Sequence, residues 1–300
     1  MKHVFIVNPI AGKGGCPITG ELLSAHCPEG GWEIYTTRSP RDGVDYVRDI
    51  CSQNRGEELR VYACGGDGTL SEVVNGAAGF ENVSVGCYPC GSGNDYVKYY
   101  GGPERFLDIP ALLRARARPV DLLRVNDRFA VNACHFGFDT SVARTMSQLR
   151  DKPVIGGKRA YLSAIVYSLF TAMRTSCVIK ADGETICPDS MLLCTLANGS
   201  HVGGSFKCAP RSKNDDGLIE LCMAKPVSVT RFISLVKTYQ QGGHLDDERF
   251  RDIIVYRQVR HVDIQGPEGF AVSLDGEILE GESISVDIMP SALNFIAPEL

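Results

Sequence analysis

The sequence predicts an α/β N-terminal domain built on a parallel sheet, followed by a mostly antiparallel β-sandwich. Three observations carry that reading. In the first third, short apolar runs alternate with helix-compatible segments. From about residue 119 the runs lie closer together and are joined by Asn-Asp and Asp-Gly turns. Glycine-rich loops follow three of the early runs.

Taken in order, the first strand candidates are 4–7, 32–37, 59–64 and 83–88, with helical pattern over 43–51 and 69–78. Strand and helix alternating in this way give βαβ units, whose ligands bind at the carboxyl ends of the strands. Residues 120–125 and 129–134 flank Asn126-Asp127, a hairpin turn. Further strands are expected at 177–181, 191–196, 218–223, 259–264, 270–274 and 284–289, with turns at Asp182-Gly183 and Asp275-Gly276. Two inserted helices are expected, at 159–174 and 228–240. The division is 1–122 for the nucleotide-binding α/β domain and 123–289 for the sandwich, with 290–300 returning to the first domain and the active site in the cleft between them.

Composition narrows the classes. Of the 300 residues 44% are hydrophobic and 22% charged, which suits a globular protein. A net charge of −5 argues against a nucleic-acid partner. The run at 4–7 is too short for a signal peptide, and the apolar stretch 162–173 falls short of the ~20 residues that span a bilayer. The protein is therefore expected to be cytoplasmic, meeting a membrane peripherally from its surface. Twelve cysteines in a chain of this kind read as reduced thiols. Cys87-Tyr88-Pro89-Cys90 could be a redox pair or half a zinc site, or simply thiols flanking a loop.

Gly65-Gly66-Asp67-Gly68-Thr69 lies between a strand and a helix. Glycine lets backbone amides approach phosphate oxygens, and the helix N-terminus adds partial positive charge. Asp67 could hold the Mg²⁺ of a nucleoside triphosphate, and Thr69 could cap the helix or donate to phosphate; a ligand-free turn is the plain alternative. Asn8-Pro9-Ile10-Ala11-Gly12-Lys13-Gly14-Gly15 and Cys90-Gly91-Ser92-Gly93-Asn94-Asp95 follow two other strands. Three such loops on one sheet would converge at one edge, which favours a nucleotide phosphate site.

These loops, with the block Gly65 to Gly76, resemble the diacylglycerol kinase catalytic-domain family, above all its short bacterial lipid kinases. The resemblance spans essentially the whole chain. Gly-Gly-Asp-Gly-Thr alone is shared with NAD kinases and phosphofructokinases; the Asn-Pro-x-Ala-Gly opening and the downstream carboxylates favour lipid kinases. The fold implied is of the NAD kinase/diacylglycerol kinase type, with a Rossmann-type sheet. The activity implied is ATP- and Mg²⁺-dependent phosphorylation of a hydroxyl on diacylglycerol or a related lipid reached at the membrane surface.

By matched position the resemblance implies nucleotide contacts at Asn8, Pro9, Ile10, Ala11, Gly12, Thr37, Gly66, Asp67, Gly68, Thr69, Leu70, Ser71, Glu72 and Ser92. It implies that Asp67 and Asp121 help place Mg²⁺, that Glu277 is the general base, and that the segment from Asn132 to Asp139 faces the cleft. In the loop 209–218 it implies a structural Mg²⁺ held by the Asp216 carboxylate and the carbonyls of Lys213 and Leu218. The helix 162–173 and Tyr96-Val97-Lys98-Tyr99-Tyr100 could line an acyl-chain cleft, touch a bilayer surface or pack in the core. Two other readings stay open, a kinase with a soluble acceptor such as NAD and a nucleotide-binding regulator without catalysis. The specific lipid and the oligomeric state, a homodimer included, also stay open.

Overall fold

The computed structural model describes residues 1–299 apart from 13–14, 28–30, 139 and 143–172. Strands β1 (Lys2–Val7), β2 (Trp32–Thr36), β3 (Leu59–Gly65) and β4 (Val83–Pro89) form a parallel sheet in the order β4-β3-β1-β2. β3 and β4 are buried along almost their whole length, as a strand covered on both faces must be. Helices α1 (Gly20–His26), α2 (Asp42–Gln53) and α3 (Asp67–Ala77) supply the crossovers, and α4 (Ile109–Arg114) leads out. Thr19 and Asp108 start α1 and α4 by accepting the N–H of Leu22 and Ala111, which would otherwise lack a partner. Phe5, Tyr62, Leu23, Val73 and Phe106 fill the core of this half.

Two long strands join the halves. β5 (Ala117–Val125) and β18 (Ser283–Ile296) run antiparallel from one domain into the other. Near its end β18 also pairs in parallel with β4, through Asn294 and Phe295. The register shifts between Met289 and Leu293, where Ser291 takes a left-handed φ of 52°. A division at residues 122 and 123 therefore falls inside β5, within one continuous ten-stranded sheet.

The sandwich packs the far end of that sheet on a second sheet. The first layer comprises β5, β6 (Arg128–Ala130), β9 (Val178–Ala181), β10 (Glu184–Cys187), β15 (His261–Gln265) and the first part of β18. The second runs β14 (Ile254–Val259), β13 (Ile219–Ala224), β12 (Leu193–Ala197), β7 (Ala133–Gly137), β16 (Ala271–Leu274) and β17 (Glu277–Glu280). The short pair β8 (Thr175–Ser176) and β11 (Ser190–Met191) lies beside them. Alternate residues of each layer meet in the core, among them Leu123, Ile179, Val262 and Val286 from one and Phe136, Leu196, Leu221 and Val272 from the other. Helix α5 (Val229–Gln240), capped by Ser228 accepting from Arg231 N–H, lays Leu235 against the outer face of the second layer.

Two of the expected single strands prove to be two each. The run 129–134 divides into β6 and β7, and 259–264 divides into β14 and β15; in both cases the pieces belong to different sheets. An aspartate makes each corner. The carboxylate of Asp275 accepts the N–H groups of Val131, Asn132 and Ala133, and that of Asp182 accepts those of Arg260 and His261. Those amides are drawn off the ladder, and the chain crosses between layers. The helix expected at 159–174 lies almost wholly outside the described residues.

Asn75 ties α3 to the second domain. Its side chain accepts the Phe129 N–H at 3.0 Å and donates to the Phe129 carbonyl at 2.8 Å. Asn75→Ala is expected to destabilise the fold by about 1–3 kcal/mol, because both backbone groups lose their partner. Urea unfolding checks this; an unshifted midpoint would mean that water replaces the amide at no cost.

Candidate active site

Because β1 and β4 both flank β3, the three glycine-rich loops emerge side by side at the carboxyl edge of the sheet. They also touch one another. Asn8 donates from Nδ2 to Thr69 Oγ1 at 3.3 Å, while its Oδ1 accepts the Ile10 N–H at 3.1 Å and shapes the first loop. The second and third loops meet at Gly66 and Gly91, so closely that a β-carbon on Gly91 would lie 2.3 Å from the Gly66 Cα. Asp95 N–H donates to Asp67 Oδ1 at 2.6 Å, holding the third loop against the start of α3. Thr37, at the end of β2, donates its N–H to the Val7 carbonyl at 2.9 Å.

The expected nucleotide residues thus share one region, with different degrees of freedom. Pro9, Ile10, Gly12, Gly68 and Ser92 are exposed, whereas Ala11, Thr69, Leu70 and Ser71 are buried. Glu72 is already engaged: its carboxylate accepts the N–H groups of Arg41 and Gly43 at 3.0 Å each, and so clamps the turn into α2.

A cavity of about 680 Å³ opens from these loops into the second domain. Its polar end comprises Asp67, Ser92, Asp95, Ser273 and Asp275. Its interior is apolar, walled by Phe138, Leu192, Phe232, Leu235, Phe250 and Ile253 between the second layer and α5. The cleft-facing segment after Asn132 contributes Asn132, Ala133, His135 and Phe138; Asp139 lies outside the described residues. Tyr96 also lines the cavity, yet it is fully buried and bonded to Tyr100 and Asn214, so that stretch packs in the core as well. Ile233, 60% exposed, stands at the cavity mouth.

Glu277 opens β17 directly after the Asp275-Gly276 turn, which puts it beside the polar end. It is half-buried and paired with Arg128 at 3.2 Å, which fixes its direction. Burial, and then the neighbouring Asp95 charge, raise the Asp67 pKa; burial drives Asp275 up to about 7, with the Asp67 charge adding to it. Carboxylates so disposed make a site that gains by receiving a cation. Among the described residues no three Asp, Glu, His or Cys side chains close into a metal cage. Mg²⁺ does not require one, since it takes one or two carboxylates together with substrate phosphates and water.

Asp121 lies at the junction of the domains. Its two carboxylate oxygens accept the N–H groups of Gly217 and Ser291 at 2.7 Å each, and it is 1% exposed. These bonds join the domains at the β18 irregularity, and the side chain is not among those that line the cavity. The loop 213–218 docks at the same junction: Asn214 donates to the hydroxyls of Tyr96 and Tyr100, and its carbonyl accepts Asp121 N–H. Within it Asp216 Oδ1 accepts the Leu218 N–H at 3.1 Å. Its other oxygen and the carbonyls of Lys213 and Leu218 are hard oxygen donors of the kind Mg²⁺ takes. This loop is separate from the cavity.

Several residues of the polar end were not legible in the sequence. Lys98 reaches the Gly93 carbonyl, Asp95 and the Gly204 carbonyl at 2.5–2.7 Å, stapling the third loop to a turn of the second domain. The Gly204 N–H donates to Asp95 in return. His201 is kept below its usual pKa by burial and by Lys98. Gly204, which Lys98 and Asp95 both engage, is about a hundred residues away, and no local spacing marks that contact.

Comparison with known proteins gives a consistent result. Residues 2–125 match the diacylglycerol kinase catalytic domain, and residues 132–297 match the YegS C-terminal NAD kinase beta sandwich-like domain. The chain is 31% identical over 234 residues to the diacylglycerol kinase of Bacillus subtilis, covering 75% of this chain and 74% of the relative. It is 32% identical over 245 residues to a Pseudomonas aeruginosa protein named "Probable lipid kinase YegS-like", covering 79% and 76%. A crystal structure of a diacylglycerol kinase from Bacillus anthracis superposes with a TM-score of 0.70 over 99% of this chain and 96% of that one, at 22% identity.

Proposed function

The chain belongs to the diacylglycerol kinase family of lipid kinases, and on that premise we propose that it transfers the γ-phosphoryl group of ATP to a hydroxyl of diacylglycerol or a related lipid. One observation carries the reading: a single cavity has glycine-rich phosphate loops at its polar end and an apolar interior large enough for part of an acyl chain.

Phosphoryl transfer depends on positioning and on neutralising charge. The amides of the Asn8 and Gly66 loops and the N-terminus of α3 are suited to cradle the phosphates. Asp67 would hold the Mg²⁺ that accompanies them, and that ion would offset phosphate charge. Glu277, aimed by Arg128, accepts the proton of the lipid hydroxyl as its oxygen bonds to phosphorus. The wall from Phe138 to Ile253 takes the acyl chains and keeps water from the transferred group. Asp216, with the carbonyls of Lys213 and Leu218, would hold a second Mg²⁺ that stiffens the domain junction.

Among the described residues no helix is long and apolar enough to cross a membrane. Ile233 at the mouth offers an apolar contact through which the protein would meet the bilayer surface that supplies its lipid.

Incubation with γ-labelled ATP and Mg²⁺ in the presence of diacylglycerol vesicles, NAD or free sugars tests the assignment. Label is expected in the lipid alone. Label in NADP or a sugar phosphate would overturn it, and ATP binding without transfer to any acceptor would favour a regulator.

A further inference from the structure

Three thiols meet beneath the nucleotide loops. Cys64 pairs with Tyr88 across β3 and β4. Cys90 lies two residues beyond Tyr88, its N–H donating to the Gly65 carbonyl at 2.9 Å, so Cys64 and Cys90 share a face of the sheet. Cys16, from the loop after β1, packs against the core that holds Cys64, and its thiol lies close enough to interact with both of the others. Cys87 points to the opposite face, so the Cys-x-x-Cys spacing is not the pairing that the fold makes. At the same place the first and third loops touch: Gly12 has a φ of 70°, and a β-carbon there would come within 2.3 Å of the Cys90 carbonyl oxygen.

The thiols are unequal. Cys16 and Cys90 are half-buried, and Cys64 is wholly buried. Hydrogen bonding, first from Cys64, lowers the Cys16 pKa to about 6, while burial raises Cys90 to about 12 and Cys64 well above its usual value. Cys16 is thus the most acidic thiol of the group, and Cys90 is its partly exposed neighbour.

We infer that Cys16 and Cys90 are an oxidation site, joined by a reversible disulfide when the protein meets a peroxide, and that the bridge ties the first glycine-rich loop to the third and disables nucleotide binding. In the first step Cys16 Sγ attacks a peroxide oxygen, the O–O bond breaks, hydroxide leaves, and Cys16 becomes a sulfenic acid. In the second, Cys90 Sγ attacks Cys16 Sγ, the S–O bond breaks, and the Cys90 proton leaves with the hydroxyl as water. Two electrons pass from the thiols to the peroxide, and an external dithiol returns them. Cys64 holds Cys16 in place and is too deeply buried to be the exit.

The effect on binding rests on the nucleotide reading of the loops; the bridge itself does not. Hydrogen peroxide treatment of the full chain, alkylation of free thiols and mass mapping of peptides tests the bridge. A Cys16–Cys90 linked peptide is expected, absent after dithiothreitol and slower to form with ATP bound. ATP affinity of the oxidised protein should fall at least about tenfold, since loops fixed in one arrangement cannot close on a ligand. Cys16→Ser and Cys90→Ala should each keep ATP affinity under peroxide. A Cys16–Cys64 link, an unlinked Cys16, or a bridged protein that binds ATP as before overturns the inference. The peptide map decides the bridge whether or not the protein phosphorylates lipids.

Discussion

Glu277→Gln is expected to bind ATP as the parent does and to lose turnover by about 10²–10⁴-fold, the range that a positioned general base supplies. The substitution keeps the shape of the side chain and an oxygen that can still accept from Arg128, so position is retained and basicity is lost. The ion pair is half-exposed, and such pairs are worth about 0–1 kcal/mol, so thermal stability should barely move. Kinetics at saturating ATP and lipid, with calorimetric titration of ATP, separate the two effects. Unchanged turnover would remove Glu277 as the base; loss of ATP affinity with turnover would make it a structural residue of the loops.

The second large effect is expected at Asp275. This carboxylate is buried and accepts three backbone N–H groups, from Val131 at 2.8 Å, Asn132 at 3.2 Å and Ala133 at 2.9 Å. It turns the chain from β6 into β7 and holds the hairpin that carries Glu277. Asp275→Ala orphans three amides at ~1–3 kcal/mol each, with the lower figure apt because the cavity can admit water. A loss of about 3 kcal/mol corresponds to a fall in melting temperature of about 6–12 °C. Turnover should fall as well, since the base sits two residues on. A melting temperature unchanged in Asp275→Ala would show that the corner is held by something else.

Asp275 also ties stability to pH. Burial raises its folded-state pKa to about 7, above the ~3.9 of an unfolded aspartate. Between these values the folded chain holds a proton that the unfolded chain has released. The contribution is therefore complete below about pH 4 and is lost as pH rises through about 7. Asp275→Asn cannot titrate, so its stability relative to the parent should improve from pH 5 to pH 8. Parallel unfolding curves at both pH values check the sign, and a constant difference would show that the parent carboxyl does not titrate there.

Much of this architecture is legible in the sequence. The alternation of 4–7, 32–37, 59–64 and 83–88 with helical pattern marked the parallel sheet, and its central strands β3 and β4, covered on both faces, are apolar almost throughout. The Gly65–Thr69 block and its two companion loops marked the phosphate edge, because only glycine allows backbones to approach as Gly66 and Gly91 do. The layers of the sandwich were less legible. A run such as 259–264 has strand composition throughout, and nothing local shows that Asp182, some eighty residues earlier, takes the amides of Arg260 and His261 near its start.

By itself the sequence determined the chemistry available: glycine loops to receive phosphate, carboxylates to hold a cation or a proton, and apolar strands enough for two cores. These are local properties of residue type and spacing. The tertiary structure alone decided how the carboxylates are employed. Asp121 and Glu72 spend their oxygens on backbone amides, Asp275 makes a corner, and Glu277 remains beside the cavity. It decided, too, that the cavity runs from the phosphate loops to α5, and that Cys90 meets Cys16 and not Cys87. Each of those outcomes depends on which distant amide or side chain arrives within hydrogen-bond reach, and only the folded chain brings such groups together.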